Sequence, residues 1–145
     1  CALPILRSKG NNELHVTSTH YDDQIALDLV RGSQRTVAIH GCEGNESVAY
    51  IGGSDDRLIE LITESLEDIG ISVREAPHHI SGTQENNIVN MTQTQGGVQL
   101  ELTAQLRKEL FKNRKSSRKN RENKDNWDDL MYDFADAMKK AIERA

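Results

Sequence analysis

The sequence of 145 residues contains few cysteines and no long apolar run. Its two cysteines, Cys1 and Cys42, are too few for a disulfide framework and form no CxxC pair, which favours a cytoplasmic setting. No segment approaches the roughly twenty apolar residues of a membrane span, and the apolar run at the start is too short for a secretory signal. We therefore expect a soluble protein without membrane contact, and the length suits a single domain over residues 1–145.

Aromatic residues make up only 4% of the chain, so the core is expected to be aliphatic. The charge is unevenly distributed along the chain. Residues 107–124 hold nine Lys and Arg against two Glu, a local charge of +7, so the other residues together carry −12 and the net charge is −5. Only Phe111 interleaves with these cations, and there is no helix-turn-helix or zinc-finger spacing, which argues against nucleic acid as the partner. In residues 112–125, apolar residues do not recur at helical or strand spacing, so this segment is interpreted as an exposed basic connector.

Strand and helix patterns alternate along the chain. Strands are predicted over 14–20, 36–41, 47–53, 71–77 and 96–103 from runs of β-branched and apolar residues. Helices are predicted over 22–32, 54–70 and 104–112, with Ser54 and Asp55 as capping candidates, and a last helix over 126–145. Its apolar face is formed by Trp127, Leu130, Met131, Phe134, Met138 and Ile142.

This alternation predicts an α/β fold, a three-layer α/β/α domain with a mostly parallel, mixed sheet. Such sheets place their functional residues beyond the carboxyl ends of the strands. His20, His40 and Glu101 lie at or near the predicted strand ends, so these three are the candidates to weigh.

His40 ends the apolar run TVAIHG, and two readings are open. A rigidly held imidazole suits a zinc ligand, but a histidine that only caps the strand is equally ordinary. Glu43, Glu46 and Cys42 follow in the same loop, and they are either further donors or solvated acids and a small buried thiol.

Glu101 lies in the strand VQLEL, where partial burial would raise the pKa of its carboxyl group. A carboxylate of this kind can take a proton from water and pass it to a leaving amine, although an edge-strand acid that faces solvent is the alternative. The pair His78-His79 is interpreted as plain loop, because adjacent side chains on an extended segment point to opposite sides.

Five separated motifs, in this order, resemble the poly-γ-glutamate hydrolase family of phages and Bacillus: LHVTSTHYDD, TVAIHG, VAYIGG, NNIVN, and GGVQLEL followed by an arginine. The likeness covers about residues 12–111. The family is related to the zinc carboxypeptidases, so the resemblance implies a carboxypeptidase-like fold and a hydrolase of γ-glutamyl amide bonds. It also implies a cytoplasmic enzyme, released by lysis if it is phage-encoded.

The resemblance implies one Zn²⁺ ion, bound by a His and a Glu of a glycine-rich amino-terminal segment and by a later His that His40 matches. The other two ligands are expected upstream of Cys1, because residues 1–13 contain no His. On this comparison the chain corresponds to the carboxy-terminal two-thirds of the family's domain. A zinc site with one histidine would be weak, since such sites normally have three or four protein donors.

The other site residues follow from the same comparison. Glu101 is expected to be the general base towards water, and Arg107 to bind an α-carboxylate of the substrate. Substrate contacts, or the support of such contacts, are expected from the residues of the NIVN and TSTH-x-D motifs: Asn87, Asn90, His20 and Asp22.

Two departures from the family pattern stand out. Met91 replaces an arginine after NIVN, and Asp23-Gln24 replaces an acid and a proline. The band of cations over 107–124 could compensate at longer range for the lost arginine. The rival hypothesis is a non-catalytic module on the same fold that binds an acidic polymer or, through that band, a nucleic acid.

Overall fold

The computed structural model describes residues 16–145, and a four-stranded mixed sheet lies at its centre. The strands are β1 (Val37–Cys42), β2 (Val48–Gly53), β3 (Ser72–Glu75) and β4 (Val98–Thr103), in the order β1-β4-β2-β3. β1 is parallel to β4 and β3 is parallel to β2, whereas β2 and β4 are antiparallel. The predicted α/β fold with a mixed, mostly parallel sheet is thereby confirmed.

Five helices accompany these strands in the described chain: α1 (Gln24–Gly32), α2 (Asp56–Asp68), α3 (Ala104–Glu109), α4 (Arg118–Arg121) and α5 (Asp129–Arg144). Asp55 caps α2 as predicted, because its carboxylate accepts the N–H of Leu58 at 3.0 Å. Asp128 caps α5 in the same way, so this helix begins three residues later than predicted. Within residues 16–145, none of the helices combines the length and the apolar character that a membrane crossing requires.

The aliphatic core lies on one face of the sheet, between the strands and helices α2 and α5. Because side chains alternate along a strand, β4 directs Val98, Leu100 and Leu102 into this core. The apolar stripe of α2 and the residues Phe134 and Met138 of α5 meet them there, as their spacing predicted. Ile142 departs from the prediction, because 46% of its surface remains exposed.

The alternate residues of β4, Gln99 and Glu101, face the opposite side of the sheet. Irregular chain over 77–95 covers this side with the 3₁₀ turns His78–Ile80 and Ile88–Asn90, and α1 packs against the second turn. Gly52 allows the approach of this chain, because a Cβ there would lie 2.2 Å from the carbonyl oxygen of Ser81. The third layer is therefore mostly loop, and a loop can carry polar groups towards the sheet.

The predicted strand over 14–20 is wrong in the part that the structure describes. Ser18–His20 forms a 3₁₀ turn, in which the N–H of His20 donates to the carbonyl of Thr17 at 2.8 Å. The Ser and Thr residues have strand-like alternation, but in the described chain no strand pairs with them. His20 consequently does not lie at a strand end, and residues 14 and 15 fall outside the described residues.

The basic connector over 112–125 is exposed but not featureless. An antiparallel bridge between Phe111 and Trp127 closes it at its base. Between them lie the turns Lys112–Arg114 and Lys124–Asn126, with α4 in the middle. The indole N–H of Trp127 donates to the carbonyl of Arg121 at 2.9 Å, which ties the connector to the body of the domain.

Candidate active site

The strand register brings His40 and Glu101 together. They are direct partners in the parallel pair of β1 and β4, so their side chains leave the same face of the sheet near the carboxyl ends of both strands. His40 Nδ1 lies 4.0 Å from Glu101 Oε1, and both side chains are largely buried, with 13% and 9% of their surface exposed. This distance exceeds a hydrogen bond, so the imidazole and the carboxylate face each other without direct bonding. The two groups share one site, as the strand-end argument predicted.

Buried amides hold the carboxylate of Glu101 in place. The side-chain N–H₂ of Gln99 donates to Glu101 Oε1 at 3.3 Å and to the carbonyl of Ile80 at 3.0 Å. Gln99 in turn accepts a hydrogen bond of 3.2 Å from the side-chain amide of Asn87, whose own oxygen accepts the N–H of Val89. Since Gln99 and Asn87 are 6% and 3% exposed, this chain of amides is shielded from water and orients the acid.

Burial raises the pKa of the Glu101 carboxyl above its ordinary value, because the charged form loses solvation. The guanidinium of Arg107 and the hydrogen bond from Gln99 oppose this rise, since both favour the carboxylate. Burial wins over them, and Glu101 therefore holds a proton more readily than an exposed glutamate. A carboxyl group with a raised pKa is suited to general acid and base chemistry.

The groups around Glu101 form an open cleft of about 300 Å³. The segment 17–19 and residues of the loop over 79–87 line this cleft together with His40, Gln99 and Glu101. Gly82, with a φ of +66°, lies so close to Gln99 that a Cβ there would approach the Gln99 side chain to 2.8 Å. Glycine is therefore required for this loop to pack onto the amide chain.

Two residues of the cleft escaped the sequence analysis. His79 lines the cleft, although the His78-His79 pair was interpreted as plain loop; the expectation that at most one of the two faces a site is met. Gln99 links Asn87 to Glu101 through its side-chain amide, but no motif in the sequence around it indicates this role. The only available signal for Gln99 was its place two residues before Glu101 on the same face of the strand.

Arg107 lies beside the cleft rather than within its wall. Its Nε donates to the carbonyl of Leu102 at 3.1 Å and its Nη2 to the carbonyl of Cys42 at 3.0 Å, so it binds the carboxyl-terminal residues of both strands. Gly41 makes room for it, because a Cβ at Gly41 would lie 2.8 Å from the guanidinium carbon. The electrostatic influence of Arg107 still reaches Glu101.

The predicted contacts of the NIVN motif divide. Asn87 lines the cleft. Asn90 is 5% exposed, and its amide donates to the carbonyls of Gly82 at 2.7 Å and Gln84 at 2.9 Å while its oxygen accepts from the Ser54 hydroxyl. Asn90 therefore shapes the loop that forms the cleft.

The remaining candidates lie at the periphery. His20 and Asp22 are exposed and follow the segment 17–19 that forms one wall of the cleft. In the loop after His40, Glu43 is exposed, and Glu46 pairs with Arg74 at 2.7 Å. Burial raises the pKa of the Cys42 thiol, and the nearby charge of Glu101 raises it further, which disfavours a thiolate.

The described part of the chain offers only part of the ligand set that a metal ion needs. Over residues 16–145, no three His, Cys, Asp or Glu side chains gather closely enough to hold one. The imidazole of His40 suits one position of a zinc site, and three or four protein donors are normal. The described residues therefore fit zinc as one corner of a site.

The fold and the cleft define an α/β domain whose site joins a histidine to a buried carboxylate at the ends of adjacent parallel strands. The model of the poly-gamma-glutamate hydrolase family matches residues 2–137. The chain belongs to this family, which confirms the resemblance drawn from its motifs.

Two curated relatives come from Bacillus subtilis (strain 168). UPF0714 protein YmaC is 32% identical over 146 residues, which cover 96% of this chain and 58% of that protein. SPbeta prophage-derived UPF0714 protein YoqZ is 37% identical over 108 residues, which cover 73% of this chain and 39% of that protein. The chain thus spans from about two-fifths to just under three-fifths of the length of these relatives.

Two solved structures share the fold. A bacteriophage poly-gamma-glutamate hydrolase superposes with a TM-score of 0.87 at 32% identity, over 96% of this chain and 66% of that one. YndL in its apo, zinc-free form superposes with a TM-score of 0.80 at 26% identity, over 95% of this chain and 67% of that one. The mixed sheet and its helices are therefore the architecture of this family.

Proposed function

We propose that the protein hydrolyses γ-glutamyl amide bonds of poly-γ-glutamate, with Glu101 as the general base and acid and His40 as one ligand of a Zn²⁺ ion. The observation that carries the proposal is the buried carboxylate of Glu101, held 4.0 Å from His40 in a cleft on a chain of this family. One structural neighbour is a bacteriophage poly-gamma-glutamate hydrolase, which supports this substrate. The other, YndL, is described in a zinc-free form, which supports zinc as the metal.

Zinc bound at His40, with its other ligands expected upstream of Cys1, would activate water and polarise the amide carbonyl. The residues of this chain do the rest. Glu101 takes a proton from the attacking water, whose oxygen bonds to the amide carbon. The carbon–nitrogen bond then breaks, and Glu101 returns the proton to the departing nitrogen, so the carboxylate is regenerated.

The chain of buried amides fixes the orientation of the Glu101 carboxylate for this proton transfer. Gln99 fixes one oxygen of Glu101, which leaves the other oxygen to meet the water. Because Asn87 is committed to Gln99 and to the backbone of Val89, we assign it chiefly to support, with a remaining N–H available to the substrate.

Substrate carboxylates have one anchored cation beside the cleft. Two of the five N–H donors of Arg107 bind backbone carbonyls, and the remaining donors can form a charge-assisted pair with a carboxylate. We propose Arg107 as the residue that orients the substrate chain, with His20 and Asp22 at the outer end of the cleft wall as weaker contacts.

The experiment is hydrolysis of poly-γ-glutamate by the full gene product in the presence of zinc, followed by the appearance of new amino groups. Glu101→Gln should lower kcat by about 10²- to 10⁴-fold. The matched control is Glu43→Gln, which alters an exposed acid three residues after His40 and should leave the rate unchanged. An inactive wild-type protein, or a Glu101→Gln variant with the wild-type rate, would overturn the proposal.

A further inference from the structure

The strand register places four polar side chains in one row across the sheet. His40 is the direct partner of Glu101, and the row continues through Tyr50 on β2 to Arg74 on β3, each the direct partner of the one before. Side chains of direct partners leave the same face of a sheet. The core residues of β2 and β3 alternate with Tyr50 and Arg74 and face the opposite side. Arg74 therefore lies on the face that carries Glu101.

Arg74 lies two strands from Glu101, on the side away from His40. Neighbouring strands are about 4.8 Å apart, so about 10 Å separate the Cα atoms of Glu101 and Arg74. β3 is the edge of the sheet opposite to β1. Zinc ligands from upstream of Cys1 would meet His40 at the β1 end of the row, so the placement of Arg74 does not depend on them.

The guanidinium of Arg74 is anchored by two side chains. Its Nη1 donates to Glu46 Oε2 at 2.7 Å, and the phenol of Tyr50, which is half-buried, interacts with the same guanidinium. The backbone of Glu46 is fixed in turn, because its carbonyl accepts the hydroxyl of Thr103, at the end of β4, at 2.7 Å. A cation that is already in position loses less entropy when it binds an anion.

Arg74 can accept a second carboxylate beside Glu46. The side chains of this pair are 52% and 70% exposed, and an exposed ion pair contributes little because water and salt screen it. Glu46 is bound through Nη1, and the planar guanidinium carries further N–H donors on Nε and Nη2. These donors can form a bidentate pair with a carboxylate from solution.

The cleft leaves the carboxylates of the polymer without a cation of its own. Among the described residues that line the cleft, none is Lys or Arg, whereas poly-γ-glutamate carries a free α-carboxylate on every unit. Arg107 lies at the ends of β1 and β4, and Arg74 lies on the other side of Glu101. A chain cleaved at Glu101 would thus pass between two anchored cations.

We propose that Arg74 is a substrate-binding residue, which takes the carboxylate of the glutamyl unit next to the cleaved bond. The ring of Tyr50, between Arg74 and Glu101 in the row, would support the methylene groups of that unit. This inference rests on the proposed function, because it takes the same polymer as the substrate. It makes recognition depend on one carboxylate at a defined distance from the reacting bond.

Binding of a short, labelled γ-glutamyl oligomer tests this without any cleavage step. It is measured by fluorescence anisotropy on the full gene product with zinc, in a Glu101→Gln background. Arg74→Gln in that background should bind about tenfold more weakly, because a bidentate, charge-assisted pair is lost. The matched control is Arg57→Gln: Arg57 forms an equally exposed ion pair with Glu60 on α2, at the other face of the sheet, and its loss should change the affinity less than about twofold.

Two further measurements separate substrate binding from structural support. Glu46→Gln breaks the same ion pair but leaves the guanidinium, so it should bind the oligomer at least as tightly as the parent protein. An oligomer with its carboxylates converted to amides should bind Arg74→Gln and the parent equally, because Arg74 then has no anion to bind.

Parent affinity in Arg74→Gln would overturn the inference, and so would an equal loss in Arg57→Gln, which would indicate attraction by overall charge. A loss in Glu46→Gln as large as that in Arg74→Gln would also overturn it, since the ion pair would then only support the fold. Failure of the proposed function would be seen separately, as hydrolysis by Glu101→Gln at the wild-type rate.

Discussion

Replacing Gln99 by leucine tests whether the buried amide chain holds the cleft together. The substitution keeps the side chain close in size but removes hydrogen bonds to Ile80, Glu101 and Asn87, which measure 3.0, 3.3 and 3.2 Å. At about 1 kcal/mol for each buried hydrogen bond, the loss in the free energy of unfolding is about 3 kcal/mol. For a domain of this length, that corresponds to a fall in Tm of about 6 to 12 °C.

Urea denaturation followed by circular dichroism measures this loss, with a second glutamine as the control. Gln93 is exposed and makes one side-chain hydrogen bond, to the carbonyl of Gly32 at 3.1 Å. Gln93→Leu should therefore change the free energy of unfolding by less than about 0.5 kcal/mol. If Gln99→Leu were as stable as the control variant, the amide chain would not be the element that supports Glu101.

Three further predictions concern single positions. Because the folded-state pKa of Glu101 is raised, the folded protein binds more protons than the unfolded chain between the ordinary carboxyl pKa and the raised one. Wild-type stability should therefore fall as the pH rises through that window, and Glu101→Gln should be at least as stable as the wild type at neutral pH. Urea denaturation at a series of pH values measures this. An advantage of Glu101→Gln over the wild type that persists unchanged into acid would contradict the prediction. Asn90→Ala should lower the free energy of unfolding by about 2 to 3 kcal/mol, since a buried side chain loses three hydrogen bonds. Unchanged stability together with weaker substrate binding would contradict this and indicate a direct substrate contact. Gly53→Ala should lower the free energy of unfolding by about 2 kcal/mol or more, because the φ of Gly53 is +114° and a Cβ would lie 2.1 Å from the carbonyl oxygen of Gly97. Gly32 has open space around it, so the control Gly32→Ala should not lower the stability when both variants are compared by thermal denaturation.

The helices and strands of the core could be predicted because their signals are local. The apolar spacing of α2 and its cap at Asp55 depend on residues a few positions apart, and the structure has both. The strand prediction failed over residues 16–20 because alternation is only half of a strand's signal, and the other half is a neighbouring strand to pair with. No local pattern at Ser18 or Thr19 indicates whether such a neighbour exists.

The candidate site was predictable where strand ends decided it. His40 and Glu101 each lie near the carboxyl end of an apolar run, and parallel strands bring such ends together. The placement of His79, Gln99 and Arg107 depends on tertiary packing, which the sequence does not display. The resemblance alone placed Arg107 at the substrate, and no local pattern indicated that its guanidinium would bind the carbonyls of Leu102 and Cys42 beside the cleft.

We propose that His40 and Glu101 act together at one metal-dependent hydrolytic centre. Anomalous diffraction at the zinc edge, from crystals of the full gene product grown with zinc, tests it most directly. We expect a peak about 2.0 to 2.1 Å from a ring nitrogen of His40, on the side of the sheet that carries Glu101. A zinc ion bound with a complete set of ligands elsewhere, and His40 outside that set, would contradict it.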